Sequence, residues 1–175
     1  MGAIHELHDI FFSSQNEAPP LYRDRDLSSL YQDYFELSVE MVRSGLFDII
    51  AHPDLIKKHT HELTPPLAFE RYRSAAESFV DALLEAKVGM DVNMKGMKLK
   101  AGEQFPSREL LELYLTRARS RGLEPILTLG SDAHTPDGVG GCLREGALLL
   151  IDLGQKTLTS FEHRKRSPFM MDLTA

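Results

Sequence analysis

The stretch "EPILTLGSDAHTPDGVGG", residues 124–141, combines a short apolar run, two polar side chains and a glycine-rich segment. Its first part, residues 124–132, is short and rich in aliphatic residues, which predicts a buried strand. Asp132 and His134 come at the point where this strand ends. A carboxylate together with an imidazole suits Zn²⁺, Mn²⁺ or Fe²⁺ better than Ca²⁺. The stretch therefore raises the question of which other strands supply further ligands.

Strands and helices alternate along the chain on both sides of this stretch. Short apolar segments at 46–52 and 88–93 predict two earlier strands, and residues 158–161 predict a last one. Apolar residues at three- and four-residue spacing predict helices between them. The predicted helices are 26–44 with Asp26 as its cap, the segment from Thr64 to Gly89, the segment from Ser107 to Gly122, and 139–153. This alternation predicts one α/β domain over residues 1–175, with a parallel sheet and helical crossovers.

Composition and charge exclude several classes of protein. The net charge of −6 argues against a binder of nucleic-acid backbone, and a basic run at 163–167 predicts only a solvated loop. No apolar run reaches the ~20 residues that cross a bilayer, so no membrane partner is expected. The N-terminus has no basic region ahead of its apolar residues, and Cys142 is the single cysteine, so no internal disulfide forms. These features favour the reducing cytoplasm.

Polar side chains stand at the end of each of the first three predicted strands. They are, in chain order, His52 and Asp54, Asp91 and Asn93, and Asp132 and His134. Parallel strands end at the same edge of a sheet, where functional groups gather. We therefore predict that His52, Asp132 and His134 bind metal, and that Asn93 faces the substrate or supports the ligands.

Simpler roles for these residues stay open. Asp132 can cap a turn, His134 can bond a backbone carbonyl, and His52 can merely end its strand. Lys57 and Lys58 are either a solvated pair or, beside a metal site, cations that meet a phosphate. We interpret His59 and His61 as residues of a polar loop rather than ligands, and Cys142 as a buried small side chain rather than a nucleophile.

The segments "SGLFDIIAHPDLIKK" (44–58), "MDVNMKG" (90–96) and "LGSDAHTPDGVG" (129–140) resemble a known family in their order and spacing. They are similar to the C-terminal half of the histidinol-phosphate phosphatases, members of the PHP superfamily of metal-dependent phosphoesterases. "GAIHEL" (2–7) resembles that family's Gly-Ser-x-His segment, and "SFEHRKRSPFMMDL" (160–173) resembles its last strand and tail. The resemblance therefore covers nearly the whole chain.

This resemblance implies a distorted seven-stranded β/α barrel that holds up to three divalent metal ions, of Zn, Mn or Fe. It places His5, His52, Asp132 and His134 in ligand positions, with Asp54 and Asn93 as polar neighbours and Lys57 or Lys58 as added positive charge. The implied reaction is hydrolysis of a small phosphorylated substrate, L-histidinol phosphate, in histidine biosynthesis. A metal-activated hydroxide would attack phosphorus, with no covalent phosphoenzyme.

The chain also departs from the family pattern. The family opens with a His-x-His strand, followed by another histidine and a glutamate, and none of these has a counterpart here. We therefore expect a partial barrel without its N-terminal strands, fewer metal ions, and an open edge that favours a homo-oligomer. A catalytically silent interaction or structural module remains an alternative. A related phosphoesterase acting on nucleic-acid ends is a weaker one, given the acidic charge.

Overall fold

The computed structural model describes residues 1–23, 25–60 and 65–171 and has the predicted α/β architecture. The helices are α1 (Pro19–Arg23), α2 (Leu27–Arg43), α3 (Arg73–Ala86), α4 (Arg108–Ser120) and α5 (Leu143–Asp152). The strands are β1 (Ile49–Ile50), β2 (Gly89–Asn93), β3 (Leu127–Gly130), β4 (Thr157–Glu162) and β5 (Lys165–Met170). In the described part of the chain, no helix is both long and apolar enough to span a bilayer.

A parallel sheet with the order β1-β2-β3 forms the centre of the fold. The central strand β2 is buried along its whole length, as expected of a parallel strand with neighbours on both sides. Gly2 adds to the other edge of β1, where its amide donates to Ile49 O at 2.9 Å and its carbonyl accepts from the Ala51 amide at 2.8 Å. This pairing carries the segment that contains His5 to the same end of the sheet.

Helices α2, α3 and α4 bury the apolar faces that their sequence spacing predicts. Aromatic rings of α2 and α3 meet in the core, where Phe35 lies 5.6 Å from Phe79 between ring centroids. The predicted caps are confirmed, because the Asp26 carboxylate accepts from the Ser29 amide and the Ser107 hydroxyl accepts from the Leu110 amide. Each cap satisfies an amide that the first helical turn leaves without a partner.

The C-terminal segment differs from the sequence prediction. Residues 163–167, expected as a solvated loop, contain the turn of an antiparallel hairpin and the start of β5. Every residue of β5 is exposed, so its charges stay in water while its backbone pairs with β4. His163 and Arg164 make the turn with left-handed backbone, and Arg164 forms an ion pair with Asp48 at 2.9 Å.

Several element boundaries also differ from those predicted. The first strand is confined to Ile49–Ile50, and α5 begins at Leu143 because Gly140 and Cys142 adopt left-handed backbone before it. The helix predicted from Thr64 begins at Arg73, and Thr64 itself lies outside the described residues. These shifts leave the order of strands and helices unchanged.

Gly89 at the start of β2 generates a prediction about stability. A Cβ there would overlap the carbonyl oxygen of Ile126 and lie 2.7 Å from Ile49 Cδ1, so neighbouring strands would have to separate. We expect Gly89→Ala to lower the free energy of unfolding by about 1–3 kcal/mol, measured by urea denaturation. Gly138→Ala is the control, because its nearest contact would be Ala133 Cβ at 3.3 Å. Equal stability of the two variants would contradict the close approach.

Candidate metal centre

His52 lies immediately beyond β1 and is buried, with 7% of its surface exposed. Its backbone is left-handed, with φ of 33°, and its carbonyl accepts from the Leu55 amide at 2.9 Å to start a 3-10 turn. The Nδ1 atom is buried and has no hydrogen-bond partner among the described residues. A buried polar atom without a partner costs free energy, so this nitrogen is suited to an external ligand.

His5 lies next to His52, as predicted. The two imidazole centroids are 5.1 Å apart in an edge-to-face arrangement. Phe11 stacks near the His5 ring at a centroid distance of 6.0 Å. The segment of chain paired with β1 therefore brings a second imidazole to the end of that strand.

Asp132 and His134 follow β3 at the same edge of the sheet. The charge of Asp132 reaches both imidazoles and raises the pKa of His5 and of His52, although other effects outweigh it. The His134 side chain is 69% exposed, and its Nδ1 lies 2.9 Å from the Asp132 carbonyl oxygen. When Nδ1–H donates to this carbonyl, Nε2 keeps a lone pair and faces away from the bond.

The surroundings of the half-buried His5 and the buried His52 favour the neutral form of both imidazoles. Burial, followed by the nearby His5, lowers the pKa of His52 to about 4. Burial and then Lys58 lower the pKa of His5. Metal ions bind neutral imidazole, so this environment favours the ligand form of both side chains.

The chemical types of these side chains, imidazole and carboxylate, suit a divalent transition metal. Imidazole and carboxylate are the ligands of zinc and related ions, and the partnerless Nδ1 of His52 supplies a buried donor. In residues 1–23, 25–60 and 65–171, however, no group of three or more His, Cys, Asp or Glu side chains could hold a metal ion as it stands. Side-chain movement or further ligands are needed to complete a centre.

Asp54 and Lys57, expected as a polar neighbour of the site and as one of two candidate cations for a phosphate, form part of the interior of the fold. The Asp54 carboxylate accepts from the Ser107 amide at 2.7 Å and pairs with the Lys57 ammonium at 3.0 Å. That ammonium also donates to Gln104 O and pairs with Glu103, both at 2.9 Å. These contacts replace part of the hydration that the two buried side chains lose, while Asp54 Oδ1 is buried without a hydrogen-bond partner among the described residues.

Lys58 has the opposite orientation from its neighbour Lys57. Its ammonium donates to Ser13 O at 2.7 Å and lies near Asp132. Burial lowers its pKa, Asp132 raises it, and Lys95 lowers it further, with a net decrease. Lys58 is therefore the member of the pair that faces the candidate centre, because adjacent side chains leave a 3-10 turn in different directions.

Asn93 is buried and its side-chain oxygen accepts from the Lys95 amide at 2.9 Å. It therefore caps the 3-10 turn Met94–Lys98, which carries Lys95 to the site. Neither the approach of Lys95 to the site nor a role for Asp91 was predicted from the sequence. The buried Asp91 carboxylate accepts from the Thr128 hydroxyl at 2.6 Å. The sequence indicates Asp91 only as a charged residue within an otherwise apolar strand.

His59, interpreted from the sequence as part of a polar loop, differs from that expectation. His59 is buried, and its Nε2 lies 3.3 Å from Ser13 O. His61 lies outside the described residues. Cys142 is half-buried at the start of α5. The carbonyl of Ser13 thus serves as a contact for both His59 and Lys58.

The lowered pKa of His52 predicts a pH dependence of stability in metal-free protein. Unfolded histidine binds a proton near pH 6.5, whereas folded His52 does so only near pH 4. The unfolded state therefore binds more protons between these values, and the free energy of unfolding falls as pH decreases through them. We expect a His52→Asn variant to lose part of this dependence in urea titrations at pH 7 and pH 5. His163→Asn, at an exposed left-handed position, should follow the wild type.

Known proteins resemble this chain in sequence and in structure. No family model matches the chain. A probable histidinol-phosphatase of Deinococcus radiodurans is 34% identical over 168 residues, covering 96% of this chain and 59% of the relative. The crystal structure of histidinol phosphate phosphatase (HisK) from Lactococcus lactis, complexed with zinc, L-histidinol and phosphate, matches with a TM-score of 0.69 and 17% identity. That match covers 94% of this chain and 60% of the solved one, and it shows a shared fold. The resemblance inferred from the sequence is thus confirmed as a similarity, and the chain spans less than two thirds of the length of both proteins that it matches.

Proposed function

We propose that this chain is a metal-dependent phosphomonoesterase that hydrolyses L-histidinol phosphate to histidinol and phosphate in histidine biosynthesis. The observation that carries the proposal is the convergence of His5, His52 and Asp132 at one edge of a parallel sheet. The identity to a probable histidinol-phosphatase supports the substrate class. We further propose that the described sheet is part of a distorted β/α barrel of the PHP type, and that the protein acts in the cytoplasm.

His5, His52, Asp132 and His134 would hold the divalent ion or ions, with zinc, manganese or iron as candidates. A bound ion would lower the pKa of a water molecule toward neutrality and balance charge on the phosphate. The chain's own contribution begins with its two neutral imidazoles, which are ready to donate lone pairs.

Lys58 and Lys95 would bind and orient the phosphate group. Both ammonium groups lie close enough to interact electrostatically, and Asp132 balances part of their charge. The bond from Lys58 to Ser13 O fixes the direction of the ammonium. A phosphate dianion would replace mutual repulsion of the two cations with attraction.

This role of Lys58 generates a prediction. We expect Lys58→Met to raise the KM for histidinol phosphate about tenfold, because one charge-assisted contact to phosphate is lost. Initial rates of phosphate release over a range of substrate concentrations measure the effect. Lys156→Met, which removes an exposed ammonium near β4, is the matched control and should leave KM unchanged. Equal KM values for wild type and Lys58→Met would contradict the assignment.

A second candidate function is a catalytically silent module that binds another copy of the chain. Two observations favour it: no group of three potential ligands among the described residues can hold a metal, and β5 is an exposed edge strand. Exposed Val139 and Met170 add apolar surface. In this case the protein would associate through open strand edges without hydrolysing substrate.

Phosphate release separates the two candidate functions. We expect purified protein with Zn²⁺ or Mn²⁺ to release phosphate from L-histidinol phosphate, and Asp132→Asn to lower kcat/KM at least a hundredfold, as loss of a ligand does. Metal content by mass spectrometry should fall in the same variant. Asp137→Asn, an exposed carboxylate in the loop after β3, is the control. Absence of release with either metal would favour the silent module.

A further inference from the structure

The loop of residues 103–107 contacts both the end of β2 and the turn that follows β1. Phe105 pairs with Asn93 at the end of β2 through two backbone hydrogen bonds of 2.7 and 2.9 Å. On its other side, the loop contacts Asp54 and Lys57 of the turn that follows β1. The loop therefore joins two neighbouring strand ends at the edge where the candidate ligands lie.

The contacts to the turn after β1 are ionic and buried. Asp54 is fully buried and Lys57 is 5% exposed. Their ion pair is surrounded by the Ser107 amide, Gln104 O and the Glu103 carboxylate, and the Lys57 ammonium lies 5.1 Å from the Phe105 ring centroid. Removing Lys57 leaves the buried Asp54 carboxylate without its cation, and removing Asp54 leaves the buried ammonium with Glu103 as its remaining partner in the ion-pair network. The arrangement is therefore sensitive to single substitutions and well defined in geometry.

His52 occupies a backbone conformation that needs such support. A φ of 33° is unfavourable for a side chain with a Cβ, and it persists only when surrounding contacts hold it. Asp54 and Lys57 lie on the turn that begins at the His52 carbonyl. Their pairing with residues 103–107 therefore anchors the turn that follows His52 at its middle and at its C-terminal end.

We propose that Asp54 and Lys57 are positioning residues that hold the His52 imidazole in its orientation toward His5. They act through the backbone of the turn and do not contact the substrate. The importance of this orientation for metal binding rests on the proposed function. The orientation itself is a property of the metal-free protein and is testable without it.

NMR spectra of protein labelled with ¹⁵N in its histidine rings test the orientation directly. We expect wild-type His52, assigned by its loss in His52→Asn, to give one set of ring resonances without metal. Asp54→Asn should give broadened or doubled His52 resonances, because the ion pair that fixes the turn is lost. Asp81→Asn is the matched control, since it removes a carboxylate that pairs with Arg117 at 2.6 Å between α3 and α4. It should leave the His52 resonances unchanged.

Affinity for Co²⁺, followed by its visible absorption, provides the second measurement. We expect the dissociation constant to rise about tenfold in Asp54→Asn and in Lys57→Met, and to change less than twofold in Asp81→Asn, as for groups that support a ligand. The double variant Asp54→Asn/Lys57→Met should add little to either single change, because the two side chains act as a unit. Glu103→Gln, at a half-exposed member of the network, should show the same effects more weakly and keeps the test usable where Asp54→Asn does not fold.

The outcomes distinguish this proposal from the proposed function. Unchanged His52 resonances in Asp54→Asn and Glu103→Gln would overturn the positioning role, whatever the activity. Changed resonances in a protein whose wild type neither binds Co²⁺ nor releases phosphate would support the positioning role and contradict the proposed function. Additive effects of Asp54→Asn and Lys57→Met on the Co²⁺ dissociation constant would also count against the paired role.

Discussion

The parallel pairing of β2 with β1 on one side and β3 on the other aligns the segments that carry the candidate site. Parallel strands present their carboxyl ends at one edge, so residues far apart in the chain emerge as neighbours. Gly2 extends the same geometry by pairing with β1, and His5 follows it to that edge. The close approach of strands at Gly89 keeps this alignment tight.

Burial and charge then give the aligned residues different chemical states. His52 loses hydration and stays neutral, which suits it to donate a lone pair. Asp132 remains exposed and contributes negative charge, while Lys58 brings positive charge to the same place. One edge of the sheet thus combines neutral donors with charges of both signs, which is the combination that binding a cation and a phosphate requires.

Much of this site was predictable, and the remainder depended on the direction of individual side chains. The spacing of "AHPDL" and "GSDAH" predicted His52, Asp132 and His134 at strand ends, and the structure brings His52, His5 and Asp132 together. The sequence could not show which of the two adjacent lysines faces the site. Lys57 is held in a buried ion pair, whereas the next residue, Lys58, points toward the site. The position of Lys95 was not predicted, because it depends on a turn capped by Asn93.

Local sequence patterns predicted the order of α2–α5 and β1–β4, the helix caps at Asp26 and Ser107, and the residue types that gather at the strand ends. Those features follow from local periodicity and from hydrogen bonds between residues close in the chain. The folded structure was needed to show that residues 163–167 enter a hairpin and that Asp54 and Lys57 contact the loop of residues 103–107. Both depend on contacts between segments distant in the sequence, whose free energy depends on desolvation and partner geometry that local patterns do not encode.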